Sequence, residues 1–420
     1  MKWLCAFVPF LFLAACGGGG SAGGDAAGIL DASFNAARIA SVQGTINDVL
    51  ELPDGSLLLA GSTGFVAKLN ADGALDPAFA TGGIDWTERG TAATRSTVRL
   101  APYPQGAITV LEIHASPCIG GFCNASIGDV VARRMSADGV DDATYGVSGL
   151  GTLPAARGSI VVSPDGRVTA FAITPGRYRS FFQVQALDAM GRVDMLFARR
   201  AEDAVRSCRG SVLPYDDTEP RSVVATGAGD GILIAASWPN SGLCLVRLDA
   251  QGALDSAFAF GGRRGVRFDR LPDPQLPVLA VFARGDGQIA VVMALTVRAP
   301  AGSTRVPAVL FFASNGDLAS VTSRPDGFPA FMIDVAMQAN GKLVSAGFAT
   351  ADGTTPQLWR SMPEANASDG SFGPFGLGYN AIDSGSLMVM PEKVIVDRAG
   401  RILVSGSNGA TREPAVIRFR

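Results

Sequence analysis

The sequence predicts an all-β fold, a seven-bladed β-propeller of four-stranded antiparallel blades. Three observations predict it. A two-part motif recurs seven times along the 420 residues, the two halves of one copy stand at opposite ends of the chain, and short apolar runs are separated by glycine, aspartate and asparagine. Together they describe small sheets arranged in a closed ring.

The first half of the motif is a turn followed by an apolar strand, as in Pro53-Asp54-Gly55 and the run that ends at Gly61. Glycine tolerates positive φ, so a glycine in this turn can lead one strand into the next. The turn glycine recurs at intervals of 51 to 65 residues, at Gly55, Gly106, Gly166, Gly231, Gly287, Gly341 and Gly400.

The second half contains an acid followed by an aromatic residue. Its first internal copy is Leu75-Asp76-Pro77-Ala78-Phe79. Further copies, some of them loose, are Asp142–Tyr145, Val193–Phe197, Leu254–Phe258 and Asp369–Phe372. In the fifth repeat this half has decayed to Leu318-Ala319-Ser320-Val321.

One repeat is divided between the two ends of the chain. A second half, Gly28–Phe34, has no first half before it, and the first half that begins at Gly400 ends with the chain at Arg420. A closed ring explains the division, because joining the two ends in one blade removes an exposed sheet edge. We therefore expect a propeller over residues 27–420, whose last blade is closed by the N-terminal segment.

The paired motifs resemble the delta-60 repeat, a bacterial β-propeller repeat with the pattern DGKILVAG, an apolar strand with arginine, and DGSLDxSFG. The resemblance covers nearly all of the chain after residue 26. It implies an extracytoplasmic propeller. The family has no settled activity, so the resemblance implies a fold and a setting but no chemistry.

Residues 1–15 have the pattern of a signal peptide, with Lys2 followed by an apolar stretch too short to span a bilayer. Leu13-Ala14-Ala15-Cys16 resembles the lipobox of bacterial lipoproteins, which implies that Cys16 is acylated and begins the mature chain. The alternative is an ordinary secretory signal with a chance cysteine at this position.

The glycine-rich residues 16–26 then predict a flexible tether between the lipid and the propeller. Gly17 follows the cysteine, and by resemblance to enterobacterial lipoproteins this favours the outer membrane. The expected location is the cell envelope, with the propeller facing the periplasm or the exterior and held at the membrane by its lipid.

Four cysteines remain in the exported part: Cys118, Cys123, Cys208 and Cys244. An even number in an oxidising compartment predicts two disulfides, one between Cys118 and Cys123 and one between Cys208 and Cys244. The alternative is a zinc site, for which these uneven spacings are a poor pattern.

Four repeats have a base on the second apolar strand and an acid shortly after it. The pairs are Lys68 with Asp76, Arg134 with Asp142, Arg247 with Asp255, and Arg418 with Asp31. We expect an ion pair or hydrogen bond in each, because a partly buried charge needs a partner. Repeat five has lost both members, with Phe311 and Ala319 in their places, and repeat three keeps Asp194 but has Ala186 at the basic position.

Little in the chain specifies a reaction. His114 is the only histidine, which excludes sites built from several histidines, and no GxSxG, P-loop or dinucleotide motif stands in a strand-to-helix context. The segment Asn70–Asp76 offers oxygen ligands for calcium, but a turn is the favoured interpretation and no cofactor is expected. The net charge of −3 lacks the basic excess that nucleic-acid binding needs.

The recurring phenylalanines, Phe34, Phe79, Phe197 and Phe258, are interpreted as inter-blade packing residues rather than a ligand cage. The leading function is a monomeric binding or scaffold module for an unknown protein, glycan or small molecule. The alternative is a propeller enzyme, a hydrolase or lyase that uses carboxylates and calcium in the central channel. Carboxylates that converge in one channel mouth would favour the enzyme.

Overall fold

The structure is a computed structural model. It describes residues 28–420 except 36, 41, 87–95, 104–105, 115–129, 154–157, 176–179, 209–219, 221, 229–230, 239–241, 260, 268–277, 285–286, 300–301, 324–330, 350–354, 363–366, 374–377 and 386. The predicted signal peptide, the tether and Cys16 lie outside the described residues, as do Cys118 and Cys123. No helix among the described residues is long and apolar enough to cross a membrane.

Seven antiparallel sheets follow one another along the chain, which confirms the predicted seven-bladed propeller. Blade 1 contains β2 (Ile46–Glu51), β3 (Leu57–Gly61), β4 (Phe65–Leu69) and β5 (Ile84–Trp86), and blade 2 contains β6 (Ser96–Pro102), β7 (Ile108–His114), β8 (Val130–Met135) and β9 (Leu150–Leu153). Blade 3 contains β10 (Gly158–Val162), β11 (Val168–Pro175) and β12 (Ser180–Leu187), and blade 4 contains β13 (Ser222–Ala228), β14 (Gly231–Trp238), β15 (Gly242–Leu248) and β16 (Arg263–Arg267). Blade 5 contains β17 (Val278–Ala283), β18 (Ile289–Ala299), β19 (Gly302–Phe312) and β20 (Leu318–Ser323). Blade 6 contains β21 (Phe331–Met337), β22 (Leu343–Phe348), β23 (Pro356–Met362), β24 (Ala367–Ser368) and β25 (Tyr379–Ala381). Blade 7 contains β26 (Val389–Val396), β27 (Ile402–Asn408), β28 (Pro414–Phe419) and β1 (Ala37–Arg38).

The first strands of the blades contact one another in sequence and close a ring around a central channel. The ring runs β2, β6, β10, β13, β17, β21 and β26, and β26 contacts β2 again. The core lies between neighbouring blades, where, for example, Leu58 of blade 1 packs with Val110 of blade 2. Middle strands such as β3 and β14 are therefore buried on both faces and are almost entirely apolar, without the alternation of a half-exposed strand.

The segment after the tether lies against the last strand of the chain. Ala37 of β1 pairs with Val416 of β28, and Leu30 forms a bridge with Phe419. The Asp31 N–H donates to the Arg418 carbonyl at 2.8 Å. Blade 7 therefore combines residues from both ends of the described chain, and its strand order is β1, β28, β27, β26.

Six of the seven turn glycines have φ between 81° and 86°, as the motif requires, and they are Gly55, Gly106, Gly166, Gly287, Gly341 and Gly400. Gly231 differs. The ladder between β13 and β14 continues to the pair Ala228 and Gly231, so this glycine begins a strand and does not lie in the turn.

Blade 3 departs from the predicted four strands. In the part of the chain that the structure describes it has three, and helix α1 (Met195–Ser207) follows them. In blades 1 and 4 the motif is followed by a glycine pair of positive φ that leads into the fourth strand, at Gly82-Gly83 and Gly261-Gly262. Blade 3 has Ala198-Arg199-Arg200-Ala201 instead, and these residues favour a helix. Asp194 caps that helix by accepting the Phe197 N–H at 2.9 Å.

Candidate functional site

All four predicted base–acid pairs are in contact in the structure. The nitrogen-to-oxygen distances are 3.3 Å for Lys68–Asp76, 2.6 Å for Arg134–Asp142, 3.0 Å for Arg247–Asp255 and 2.8 Å for Arg418–Asp31. Each acid also orders its own turn; Asp255, for example, accepts the Ala257 N–H at 3.0 Å. The pairs therefore hold the loop that follows the third strand of each blade.

Two further blades have the same arrangement with bases that the repeat analysis missed. In blade 6 Arg360 donates to Asp369 at 2.6 Å. In blade 3 Arg167, from the turn before β11, binds Asp194 and replaces the base that Ala186 cannot supply. Arg167 also lies over the Phe197 ring, 4.3 Å from its centre. The sequence signal was an arginine beside the turn glycine Gly166, outside the position at which a base was sought.

The aromatic residue of each motif packs on a second recurring glycine of the next blade, which lies in the turn just before that blade's own copy of the Asp–aromatic segment. A Cβ on that glycine would come within 2.5 to 3.1 Å of the aromatic ring, and each of these glycines has a positive φ, so both the close contact and the backbone favour glycine there. The pairs are Phe34 on Gly73, Phe79 on Gly139, Tyr145 on Gly191, Phe197 on Gly252, Phe258 on Gly316 and Phe372 on Gly28. This confirms the inter-blade packing role predicted for the four phenylalanines.

A disulfide joins Cys208, at the C-terminal end of α1, to Cys244 on β15, with a Cα–Cα distance of 6.1 Å. Both cysteines are fully buried. The bond therefore ties the helix of blade 3 to the third strand of blade 4, and one of the two predicted disulfides is confirmed.

The acids considered for calcium make turn contacts. Asp72 accepts the Ala74 N–H at 3.1 Å, and the Gly73 N–H donates to the Asn70 carbonyl at 2.9 Å. Among the described residues no group of three or more acids, histidines or cysteines is arranged to hold a metal ion.

The central channel contains a ring of equivalent positions, each seven residues before the repeating glycine. Each is half-buried, and each pairs with the equivalent residue on the second strand of its own blade, as Asp48 pairs with Ala60 in blade 1. Around the ring the residues are Asp48, Arg99, Ser159, Val224, Ala280, Asp334 and Lys393. One arc, from Asp334 through Lys393 and Asp48 to Arg99, alternates in charge, and the opposite arc carries small or apolar side chains.

The polar members of this ring bind neighbouring blades. Asp48 accepts the Leu100 N–H at 2.9 Å, and Asp334 accepts the Val394 N–H at 2.9 Å. Lys393 lies 3.2 Å from Asp334. These charges therefore hold adjacent first strands together, and Asp48 and Lys393 also line the channel cavity.

A cavity of about 420 Å³ opens at this level, lined by residues from six of the seven first strands. Burial raises the pKa of Asp48 above its ordinary value, although Arg99 and Lys393 oppose the rise by favouring the carboxylate. Desolvation raises the pKa of Glu392, beside Lys393, in the same way. The recess combines a polar wall with an apolar one, as small-molecule sites usually do.

A second cavity, of about 790 Å³, lies between β12 and α1. Several of its apolar side chains are exposed: Phe181, Val193, Met195 and Leu196. Contiguous exposed apolar side chains of this kind commonly mark an interaction surface.

The family model "Domain of unknown function (DUF5122) beta-propeller" matches residues 52–79, which hold the first internal copy of the two-part motif. A comparison with curated proteins finds no match. The matched segment supports membership of a β-propeller family.

Solved structures with a similar fold include a polysaccharide lyase of the PL25 ulvan lyase family, which is 10% identical, with 93% of this chain and 94% of that chain covered and a TM-score of 0.47. BamB from Moraxella catarrhalis is 11% identical, with 92% and 100% covered and a TM-score of 0.45. A protein of unknown function from Dyadobacter fermentans is 8% identical, with 94% and 96% covered and a TM-score of 0.41. Likenesses at this level carry no argument about activity.

Proposed function

We propose that this protein is a cell-envelope lipoprotein of the delta-60 repeat type whose propeller is a binding or scaffold module. Its leader and Cys16 support the anchor, and the repeated motif supports the family. We place it at the outer membrane as a monomer, facing the periplasm or the exterior. Its partner is a protein, a glycan or a small molecule rather than a nucleic acid.

The binding role is inferred from the way in which neighbouring blades hold the charged side chains of the channel ring in place. Asp48 and Asp334 are engaged by backbone N–H groups of the next blade, and Lys393 lies beside Asp334. Charges held in this way form a rigid frame that can recognise a ligand without reorganising. The small side chains opposite them leave the space that a ligand would occupy.

A ligand screen by thermal unfolding tests the channel role. A panel of glycans, amino acids and short peptides should contain compounds that raise the melting temperature of the wild-type protein, because a ligand at 100 times its Kd stabilises by about 2.7 kcal/mol. Val224→Phe should fill the recess and abolish that rise. Val140→Phe, at an exposed turn position of blade 2, is the matched control and should leave the rise intact. Compounds that still raise the melting temperature of the Val224→Phe variant would contradict a channel site.

The second candidate is a hydrolase or lyase that uses channel carboxylates with bound calcium. The raised pKa of Asp48 favours it, since a desolvated carboxyl is typical of general acids. Mass spectrometry of the hit compounds after incubation, with and without calcium, separates the two candidates. Unchanged compounds support binding, whereas products that disappear in Asp48→Asn would establish the enzyme.

Replacing Cys16 with serine tests the anchor. The variant should move from the membrane fraction to the soluble fraction of the envelope, because each buried methylene of an acyl chain contributes about 0.8 kcal/mol to membrane binding. Cys5→Ser is the matched control, since Cys5 leaves with the signal peptide, and it should remain with the membranes. Detergent phase partition of the two variants measures the difference. A Cys16→Ser protein that stays in the membrane fraction would exclude the lipid anchor.

A further inference from the structure

The outer edge of blade 3 is the place where its neighbours have a fourth strand. In blade 1 the third-strand residues Phe65–Ala67 pair with Ile84–Trp86 of β5. The ladder register makes Gln183–Gln185 of β12 their counterpart. In blade 3, as far as the structure describes it, no strand pairs with that edge.

Two side chains of α1 bind backbone groups of this edge. The Glu202 carboxylate accepts the Val184 N–H at 3.1 Å, and Arg206 donates to the Phe182 carbonyl at 3.0 Å. The two side chains also form an ion pair at 3.1 Å. In blade 1 the residue equivalent to Val184 is Val66, which pairs with Asp85 of the fourth strand. Glu202 and Arg206 thus bind backbone groups of β12 along the edge that the fourth strand pairs with in blade 1.

The cavity of about 790 Å³ runs along this edge. One wall is Phe181 to Ala186 of β12, and the other is a single face of α1 formed by Met195, Arg199, Glu202 and Arg206 at helical spacing. Met195 is 73% exposed, Leu196 60% and Phe181 52%, which is unusual for side chains of this size.

The charged side chains along the groove leave a net positive charge. Glu202 and Arg206 neutralise each other, whereas Arg199 is exposed and forms no ion pair with any described residue. If a strand displaced Glu202 from the edge, the groove would retain a cationic wall. An acidic side chain would complement it.

We infer that the groove is a strand-acceptor site for an extended segment of a partner protein. The segment adds to β12 as the fourth strand of blade 3, and its backbone replaces the contacts of Glu202 and Arg206. Its alternate side chains are apolar and pack on Phe181 and Leu196, and an acidic residue faces Arg199. The inference rests on the proposed binding role but uses a surface separate from the channel, so Val224→Phe should leave it unchanged.

Selection of a random decapeptide phage library on the purified full-length protein tests the inference. The enriched peptides should alternate apolar residues and carry an acid. Hydrogen–deuterium exchange with a selected synthetic peptide should protect residues 180–187. A library without enrichment, or selected peptides that leave residues 180–187 unprotected, would overturn strand addition at this edge.

Variants of α1 then separate strand addition from simple apolar docking. Glu202→Ala frees the Val184 N–H and should tighten peptide binding by about threefold to tenfold, because one competing hydrogen bond is lost. Leu196→Asp should weaken binding by at least about tenfold, since it removes an apolar contact and repels the acid. Asp203→Ala, an exposed position on the same turn, is the matched control.

Fluorescence anisotropy of the labelled peptide gives the three affinities, and far-UV circular dichroism shows whether the helix is intact. Should Glu202→Ala destabilise the helix, Glu202→Gln provides the same comparison, because it weakens the ion pair with Arg206 while keeping an acceptor for Val184. It should bind the peptide more tightly than the wild type, though by less than Glu202→Ala in a folded helix. Affinities that fall or stay constant in both Glu202 variants would contradict a displaced strand-like contact.

Discussion

Replacing Arg418 with alanine should lower the free energy of unfolding by about 3 kcal/mol, at the lower end of the range for breaking a buried ion pair. Arg418 and Asp31 are 3% and 2% exposed, so the variant leaves a carboxylate in the core. Arg418 also donates to the Ala71 carbonyl of blade 1 at 2.9 Å. Arg420 reaches the other oxygen of Asp31 at 3.1 Å and limits the loss. Chemical denaturation measures the change.

The matched control is Arg247→Ala, which breaks the equivalent pair in blade 4. The Arg247 side chain is 41% exposed, and exposed pairs contribute about 1 kcal/mol or less. Burial therefore decides the difference between two chemically identical substitutions. Equal losses in the two variants would show that burial does not control the strength of these pairs.

The pH dependence gives a second measure of the same pair. Desolvation of Asp31 is outweighed by hydrogen bonds from Ser33, Arg418 and Arg420, which hold the pKa of its carboxyl well below the ordinary value of 3.8. A lowered pKa contributes stability that is fully present above the unfolded value and is lost as the pH falls below it. Asp31→Asn should therefore be less stable than the wild type at neutral pH, and the difference should shrink as the pH falls through 4 and below.

Removing the disulfide should cost about 4 kcal/mol, the loop-closure value for a bond across 36 residues. The double variant Cys208→Ala/Cys244→Ala frees the end of α1 from blade 4, so hydrogen exchange in residues 195–207 should accelerate more than in blade 1. The control is Cys118→Ala/Cys123→Ala protein unfolded and refolded with a reductant, in which Cys208–Cys244 is the only one of the two predicted disulfides left to reduce; its loss relative to its own oxidised form should match the loss in the double variant. A double variant as stable as the oxidised wild type would show that the bond adds nothing.

Much of the fold follows from the spacing of a few residues. The turn glycines and the Asp–aromatic motif defined seven units, and the base–acid pairs followed because a charge on a buried strand needs a partner. The helix of blade 3 was missed because Asp194 and Phe197 preserve the motif. The informative difference was the absence of the glycine pair after Phe197, which lets Ala198 and the residues beyond it continue as a helix.

The candidate sites were harder to predict than the fold. The channel ring lies at a fixed distance from each turn glycine, but its charges come from different blades, and their contacts depend on ladder register. Asp48 and Lys393 are far apart in sequence and only the closed ring places them on one arc. The groove at β12 depends on the lack of a fourth strand among the described residues of blade 3, and the repeated motif gives no signal for such a difference.

The fifth repeat affects the order in which the blades of the propeller unfold in acid. Phe311 occupies the basic position and packs with Val335 and Leu343 of blade 6. Ala319 stands where the other blades have an aspartate, so protonation has nothing to neutralise at this point. In strong acid the other blades lose the carboxylate charge of their motif aspartates, which pair with the bases beside the aromatic residues. The contact between blades 5 and 6 is apolar and is unaffected by protonation. A joined fifth and sixth blade is thus the remnant that acid should dismantle last.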